Sequence, residues 1–168
     1  MGAPPIVAVV GTSGAGKTTF LEKLIRALKN RNIKVGTIKH HGHDFDMDQP
    51  GKDTWRHARA GADAVILSSP AKVALIMKVE RELGLGQVAA LSGPVDIILA
   101  EGYKGAEVPK IEISRKTHSD ELISAPQELI ALVSDVFRQI GAPCFDLDDA
   151  EGVADMLIRK FRLKGKHR

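Results

Sequence analysis

Cysteine, aromatic residues and long apolar runs are all scarce in this 168-residue sequence, and each scarcity removes a class of explanation. With Cys144 alone, neither an intramolecular disulfide nor a multi-cysteine metal site is available, which suits a reducing compartment and makes the cytoplasm the expected location. Aromatics are 4% of the chain, with one Trp and one Tyr, too few for the stacking platforms of a single-strand nucleic-acid binder. The net charge of +3, from 24 basic and 21 acidic residues, gathers partly between Arg159 and Arg168 and is too mild to add a nucleic-acid partner. The longest apolar stretch, Ile6 to Val10, is far shorter than a bilayer span, and no basic segment of a secretory leader precedes it. Ile6 also stands where a myristoylation signal needs Ser or Thr, so no membrane attachment is expected.

What is present is an alternation of strand and helix signals. At 43% hydrophobic the chain has material for a real core, and the absence of repeats and of Gly-, Ser- or Pro-rich linkers argues for a single domain over 1–168. Ile6-Val10 reads as a buried strand, followed by Phe20, Leu21, Leu24, Ile25 and Leu28 at the spacing of a helix stripe. Val35-Lys39 is a second strand, then a polar loop from His40 to Lys52, then a helix over Asp53-Ala60 that Asp53 would cap and Gly61 would end. Ala64-Leu67 and Val73-Met77 are close enough for a hairpin, expected as an antiparallel addition to a parallel sheet. Ile97-Ala100 and Leu129-Val133 read as central strands, whereas Lys110-Ser114 alternates more like an edge or outer strand. A short strand at Cys144-Leu147 leads to a helix from about Asp149, with Val153, Met156, Leu157 and Phe161 on one face. The sum is an α/β three-layer domain with a mostly parallel central sheet and an added antiparallel hairpin.

Between the first strand and first helix lies Gly11-Thr12-Ser13-Gly14-Ala15-Gly16-Lys17-Thr18, the pattern G-x-x-x-x-G-K-[ST] followed by Thr19. Its glycines let successive backbone N–H groups turn inward on phosphate oxygens, and the helix start adds its positive end. Lys17 then reaches the β- and γ-phosphates and the Thr18 hydroxyl ligates Mg²⁺. Strand before and helix after are the context this P-loop requires, so a P-loop NTPase fold is expected.

Such a site draws on an acid at the carboxyl end of a neighbouring strand. Asp96 and Glu101 flank the strand at Ile97-Ala100, roughly 16 Å apart at about 3.3 Å per residue, so only one of them faces the metal. Ligands of open α/β sheets bind at the carboxyl ends, which selects Glu101 for the metal or the attacking water, the competing reading being a loop carboxylate that caps amides. The loop Lys39-His40-His41-Gly42-His43-Asp44-Phe45-Asp46-Met47-Asp48 leaves the same sheet edge and has the composition of a switch segment that orders around phosphate and Mg²⁺, or of a solvated polar loop. No copy of the usual guanine-reading Asn/Thr-Lys-x-Asp motif is present. Asp135, after Ser134 at a strand end, either reads the base or caps a turn.

These segments together, with Ile38-Lys39-His40-His41, Asp46-Met47-Asp48, Pro50-Gly51-Lys52-Asp53, Arg59-Ala60-Gly61-Ala62 and Glu101-Gly102-Tyr103-Lys104, resemble the MobB family, the molybdopterin-guanine dinucleotide biosynthesis proteins B. The resemblance is close over the first two thirds of the chain. It implies a dimeric GTP-binding protein with weak GTPase activity, an adapter beside the enzyme that joins a guanine nucleotide to molybdopterin. Gly14, Ala15, Gly16, Lys17 and Thr18 carry the family's P-loop positions, and Lys39, Asp46 and Glu101 its remaining phosphate and metal-side positions. The implied ligands are GTP, Mg²⁺ and molybdopterin or its guanine dinucleotide.

Two other activities fit a P-loop chain of this length. A small-molecule kinase would need an arginine-bearing lid, and Arg56 and Arg59 are the only grouped pair, on a helix face that reads as solvated. A nickel-insertion type GTPase would rest on His40, His41 and His43 alone. Lys39, Lys52 and Lys104 are positioned for an anionic pterin phosphate, or simply solvated.

Overall fold

The computed structural model describes residues 2–118 and 121–165. In chain order the elements are β1 (Ile6–Val10), α1 (Lys17–Asn30), β2 (Val35–Lys39), α2 (Asp53–Arg59), β3 (Ala64–Ser68), β4 (Val73–Met77), α3 (Leu85–Ala90), β5 (Ile97–Glu101), β6 (Lys110–Ser114), β7 (Leu129–Ser134), β8 (Cys144–Phe145) and α4 (Ala150–Phe161). The chain packs as two compact units, one running up to His40 and resuming at Leu85, the other His41–Gly84.

The first unit is a six-stranded parallel sheet in the order β2-β5-β1-β6-β7-β8. β1 and β5 are apolar along nearly their whole length because both faces are covered, the pattern of a parallel sheet between helices. On one face, Phe20, Leu24 and Leu28 of α1 and Val153 and Leu157 of α4 join Val7, Val9, Leu99, Ile111 and Ile113 in one core. Each such side chain, fully withdrawn from water, contributes about 1.5–3 kcal/mol of transfer free energy. On the other face, Ala89 and Val88 of α3 pack with Ile98, Ala100 and Ile38. This is the expected three-layer arrangement, and it places every parallel strand's carboxyl end on one edge. α4 starts where its sequence signal does: the Asp149 carboxylate accepts from the Gly152 N–H at 2.8 Å.

β6 departs from expectation. It lies inside the sheet, between β1 and β7, and all five residues are buried. Its polar residues face inward because the chain supplies partners for them. Lys110 Nζ donates to Glu128 Oε1 at 2.6 Å, and the Glu112 carboxylate accepts from the N–H groups of Ile123 (2.7 Å) and Ser124 (3.0 Å). A charge alternation that reads as a wet edge is a buried polar seam under the segment before β7.

In the second unit, β3 and β4 form the expected antiparallel hairpin, as a two-stranded sheet of its own with no hydrogen-bonded strand of the six-stranded sheet beside it. α2 ends as expected, with Gly61 at φ 112° beyond it, but its N-cap is Lys52 and no side chain caps it. Asp53 sits within the first turn, where its charge favours the helix dipole.

Candidate phosphate-binding site

The loop from Gly11 to Thr18 joins the carboxyl end of β1 to the first turn of α1. Gly11 must be glycine: at φ 146°, a Cβ there would meet the Ile113 carbonyl oxygen at 2.3 Å. α1 has no side-chain cap at its N-terminus, where Gly16 adopts the left-handed conformation, so the helix presents its start to an anion. Lys17 folds back across the loop and donates to the carbonyls of Gly11 (3.1 Å) and Thr12 (2.8 Å). Burial pushes the Lys17 ammonium below its ordinary pKa, Glu101 opposes that shift, and Lys104 and Lys39 reinforce it. An ammonium held by neutral carbonyls among other cations gains strongly from a phosphate.

Glu101, the last residue of β5, is nearly buried, and its Oε1 accepts from Thr18 Oγ1 at 3.1 Å. Lys39 Nζ, from the end of β2, stands 3.6 Å from the same oxygen. Asp96 lies at the opposite sheet edge, where its Oδ2 accepts from the Lys34 N–H at 2.7 Å. Beyond Glu101 the chain turns sharply through Gly102 (φ 94°) and Tyr103 (φ 53°), whose ring centre is 4.7 Å from that of His40. Hard oxygens from Thr18 and Glu101, adjacent to a phosphate loop, are the donor chemistry that Mg²⁺ takes alongside phosphate and water.

The first unit thus brings together Gly11 to Thr18, Lys39 and Glu101. Thr12 contributes its carbonyl, which also accepts from the Ala15 N–H at 3.3 Å, while Ser13 and Thr19 are exposed. Asp46 belongs to the second unit and is exposed. Asp135 follows β7, and its Oδ1 accepts from the Lys116 N–H at 2.9 Å. Two residues that the sequence reading passed over stand at the loop: Arg115 Nε donates to the Ala15 carbonyl at 3.1 Å, and the His118 ring lies against Gly14. A signal for them existed, since Arg115 follows the last residue of β6, the parallel neighbour of β1.

The second unit has its own features. Arg59 lies 5.6 Å over the Trp55 ring and Arg56 within 4.0 Å of Asp53, pairs of an ordinary helix surface. His41 Nδ1 is 3.2 Å from the His43 carbonyl oxygen, and among the described residues no group of three or more His, Cys, Asp or Glu side chains is arranged to hold a metal ion. A cleft of about 320 Å³ is walled by Met47, Val65, Leu67, Ala74 and Ile76. Asp48 borders it, with Oδ1 accepting from Thr54 and Gln49 and Oδ2 buried without a hydrogen-bond partner.

Among the described residues, no helix is long and apolar enough to cross a membrane. Comparison with known proteins converges on one family. Residues 6–135 match the model of MobB, molybdopterin guanine dinucleotide synthesis protein B. The chain is 39% identical over 160 residues to the molybdopterin-guanine dinucleotide biosynthesis adapter protein of Escherichia coli, covering 92% of this chain and 91% of that one. Its counterpart from Haemophilus influenzae is 32% identical over 155 residues, covering 91% and 87%. Among solved structures, Bacillus subtilis MobB superposes with a TM-score of 0.71 at 31% identity, over 96% of this chain and 99% of that one.

Proposed function

This chain belongs to the family of molybdopterin guanine dinucleotide synthesis protein B, and from that premise we propose that it is a GTP-binding adapter in molybdenum-cofactor biosynthesis, with slow GTPase activity. The observation that carries the nucleotide reading is the hydrogen bond from Thr18 to Glu101, which holds the two metal-side oxygens together beside the loop that Lys17 crosses. The adapter role comes from the names of its relatives.

In this reading the N–H groups of the loop and the start of α1 take the phosphates. Lys17 exchanges its two carbonyl partners for β- and γ-phosphate oxygens. Thr18 and Glu101 would hold Mg²⁺, which when bound would neutralise phosphate charge. Lys39, beside Glu101, faces the terminal phosphate. A P-loop to which no arginine is supplied commonly hydrolyses about 10³–10⁵ slower than a stimulated one, which is the slow activity proposed here.

The protein acts as a homodimer alongside the dinucleotide-forming enzyme, with molybdopterin or its guanine dinucleotide as the shared ligand. Support for self-association comes from the hairpin register, which puts Ile66, Val73, Leu75 and Met77 on one face, each of them exposed. The deciding experiment is a pull-down of the dinucleotide-forming enzyme, loaded with molybdopterin, by this chain and by Lys17→Ala, with and without a non-hydrolysable GTP analogue. Nucleotide-dependent capture by the wild type alone is expected; equal capture by both proteins in all conditions would reject the reading.

A further inference from the structure

The turn after β6 reaches the outer side of the phosphate loop. Arg115 Nε donates to the Ala15 carbonyl, and its Nε and Nη2 lie 3.4 Å from where a Cβ on Gly16 would stand. The His118 N–H closes the turn onto the Arg115 carbonyl at 2.9 Å, and His118 Cε1 lies 2.8 Å from where a Cβ on Gly14 would stand. Inside this turn the Lys116 N–H donates to Asp135 Oδ1, so the end of β7 holds the turn in place. Two hydrogen bonds, joined through the peptide link between Arg115 and Lys116, therefore connect Asp135 to Ala15.

A loop whose N–H groups converge on an anion turns its carbonyls outward. Ala15 is fully buried, so its carbonyl needs a donor from the protein. Arg115 is that donor, and a guanidinium also places fixed positive charge behind the nest. Glu101 with Thr18 marks the metal side of the site, on β5; Arg115 arrives from β6, the strand on the other side of β1. Its Nε bond is to the loop, which makes it a brace for the nest. Asp148 shares its charge: the Asp148 carboxyl is held below its ordinary range by the Lys23 hydrogen bond first, with Arg115 adding to it.

We propose that Arg115 is a positioning residue for the nucleotide, clasping the phosphate loop in its anion-binding shape, and that Asp135 acts through this clasp and does not read the base. The proposal rests on the P-loop reading and deepens it. Because the clasp acts on the loop, its effect is independent of the base and of the γ-phosphate.

Calorimetric titration of the full chain with GTP, GDP and ATP in the presence of Mg²⁺ tests it, with circular dichroism and melting as a check on folding. Arg115→Ala is expected to weaken all three by about tenfold or more, the scale of one charged hydrogen bond, and Arg115→Lys to fall between it and the wild type. Asp135→Ala is expected to weaken GTP and ATP alike, whereas Asp135→Asn, which keeps an acceptor for the Lys116 N–H, binds both as the wild type does. A merely structural arginine would lower the melting temperature and leave the affinity of the folded protein unchanged. Wild-type affinity in folded Arg115→Ala, or loss of GTP but not ATP in Asp135→Asn, would overturn the clasp. If Arg115→Ala does not fold, Arg115→Lys and Asp135→Ala decide by the same criteria. Loss of binding in Lys17→Ala without loss in Arg115→Ala removes the clasp alone; a wild type that binds no nucleotide removes the P-loop reading along with it.

Discussion

Thr18 Oγ1 donates to Glu101 Oε1 at 3.1 Å, although 83 positions separate them in sequence. The parallel register produces this meeting: Glu101 pairs with Val9 in the sheet, and the loop that begins two residues later returns Thr18 to the same edge. Replacing the carboxylate by an amide of the same shape keeps a Thr18 partner and removes the charge that a metal and its water shell require. Glu101→Gln is expected to keep GTP binding in the absence of Mg²⁺, to need more Mg²⁺ for tight binding, and to lower hydrolysis by about 10²-fold or more. A Mg²⁺ titration with phosphate release measures both. Wild-type hydrolysis in the amide variant would place the acid elsewhere.

Glu112 tests the polar seam beneath the sheet. Its carboxylate is fully buried and satisfies the N–H groups of Ile123 and Ser124. Glu112→Ala leaves two buried donors without a partner, at a cost of about 3 kcal/mol in unfolding free energy. Glu112→Gln, which retains an acceptor oxygen, is expected to lose less. Urea denaturation decides it: a midpoint within error of the wild type for the alanine variant would mean the segment repairs itself.

Acid lability has a defined window. The Lys110 ammonium, and then the Ala125 N–H, hold Glu128 below its ordinary value of 4.5. A carboxyl whose folded pKa is depressed contributes stability that is fully present above its unfolded pKa and lost as pH falls through the folded one. The melting temperature is therefore expected to be insensitive to this pair down to about pH 4.5 and to drop below that. In Glu128→Gln the part of the drop due to this residue disappears. Because Glu128 is substantially exposed the effect is small. Melting curves from pH 7 to pH 3 for the two proteins compare it directly, and parallel curves would assign the acid sensitivity to other carboxyls.

The phosphate loop and its strands were legible because each rests on a local signal: apolar runs for β1 and β5, glycines at fixed offsets, the Phe20 to Leu28 stripe. Choosing Glu101 over Asp96 needed only the direction of a strand. What sequence could not give is which polar residues a distant segment will satisfy. Lys110 and Glu112 read as edge residues because Glu128 and the Ile123 and Ser124 amides reach them only in the folded chain. Arg115 escaped for the related reason that its partner is a backbone carbonyl 100 positions away. α3 went unseen because Leu-Gly-Gln-Val-Ala-Ala is less than two turns long.

The second unit's hairpin carries the remaining prediction. Ile66, Val73, Leu75 and Met77 lie on one face and are 64, 67, 44 and 43% exposed. The opposite face, with Val65, Leu67, Ala74 and Ile76, borders the cleft beside Asp48, which Leu75 also lines. An exposed apolar face on a two-stranded sheet is stable only when covered, because a lone hairpin is marginal in water. If a second copy covers it, a charge at its centre must be buried against apolar partners or break the contact. Ile66→Asp is expected to shift the protein to a monomer in sedimentation, with the far-ultraviolet spectrum and nucleotide affinity retained, since Ile66 belongs to a different unit from the phosphate loop. A variant that sediments as the wild type does would place self-association on another surface.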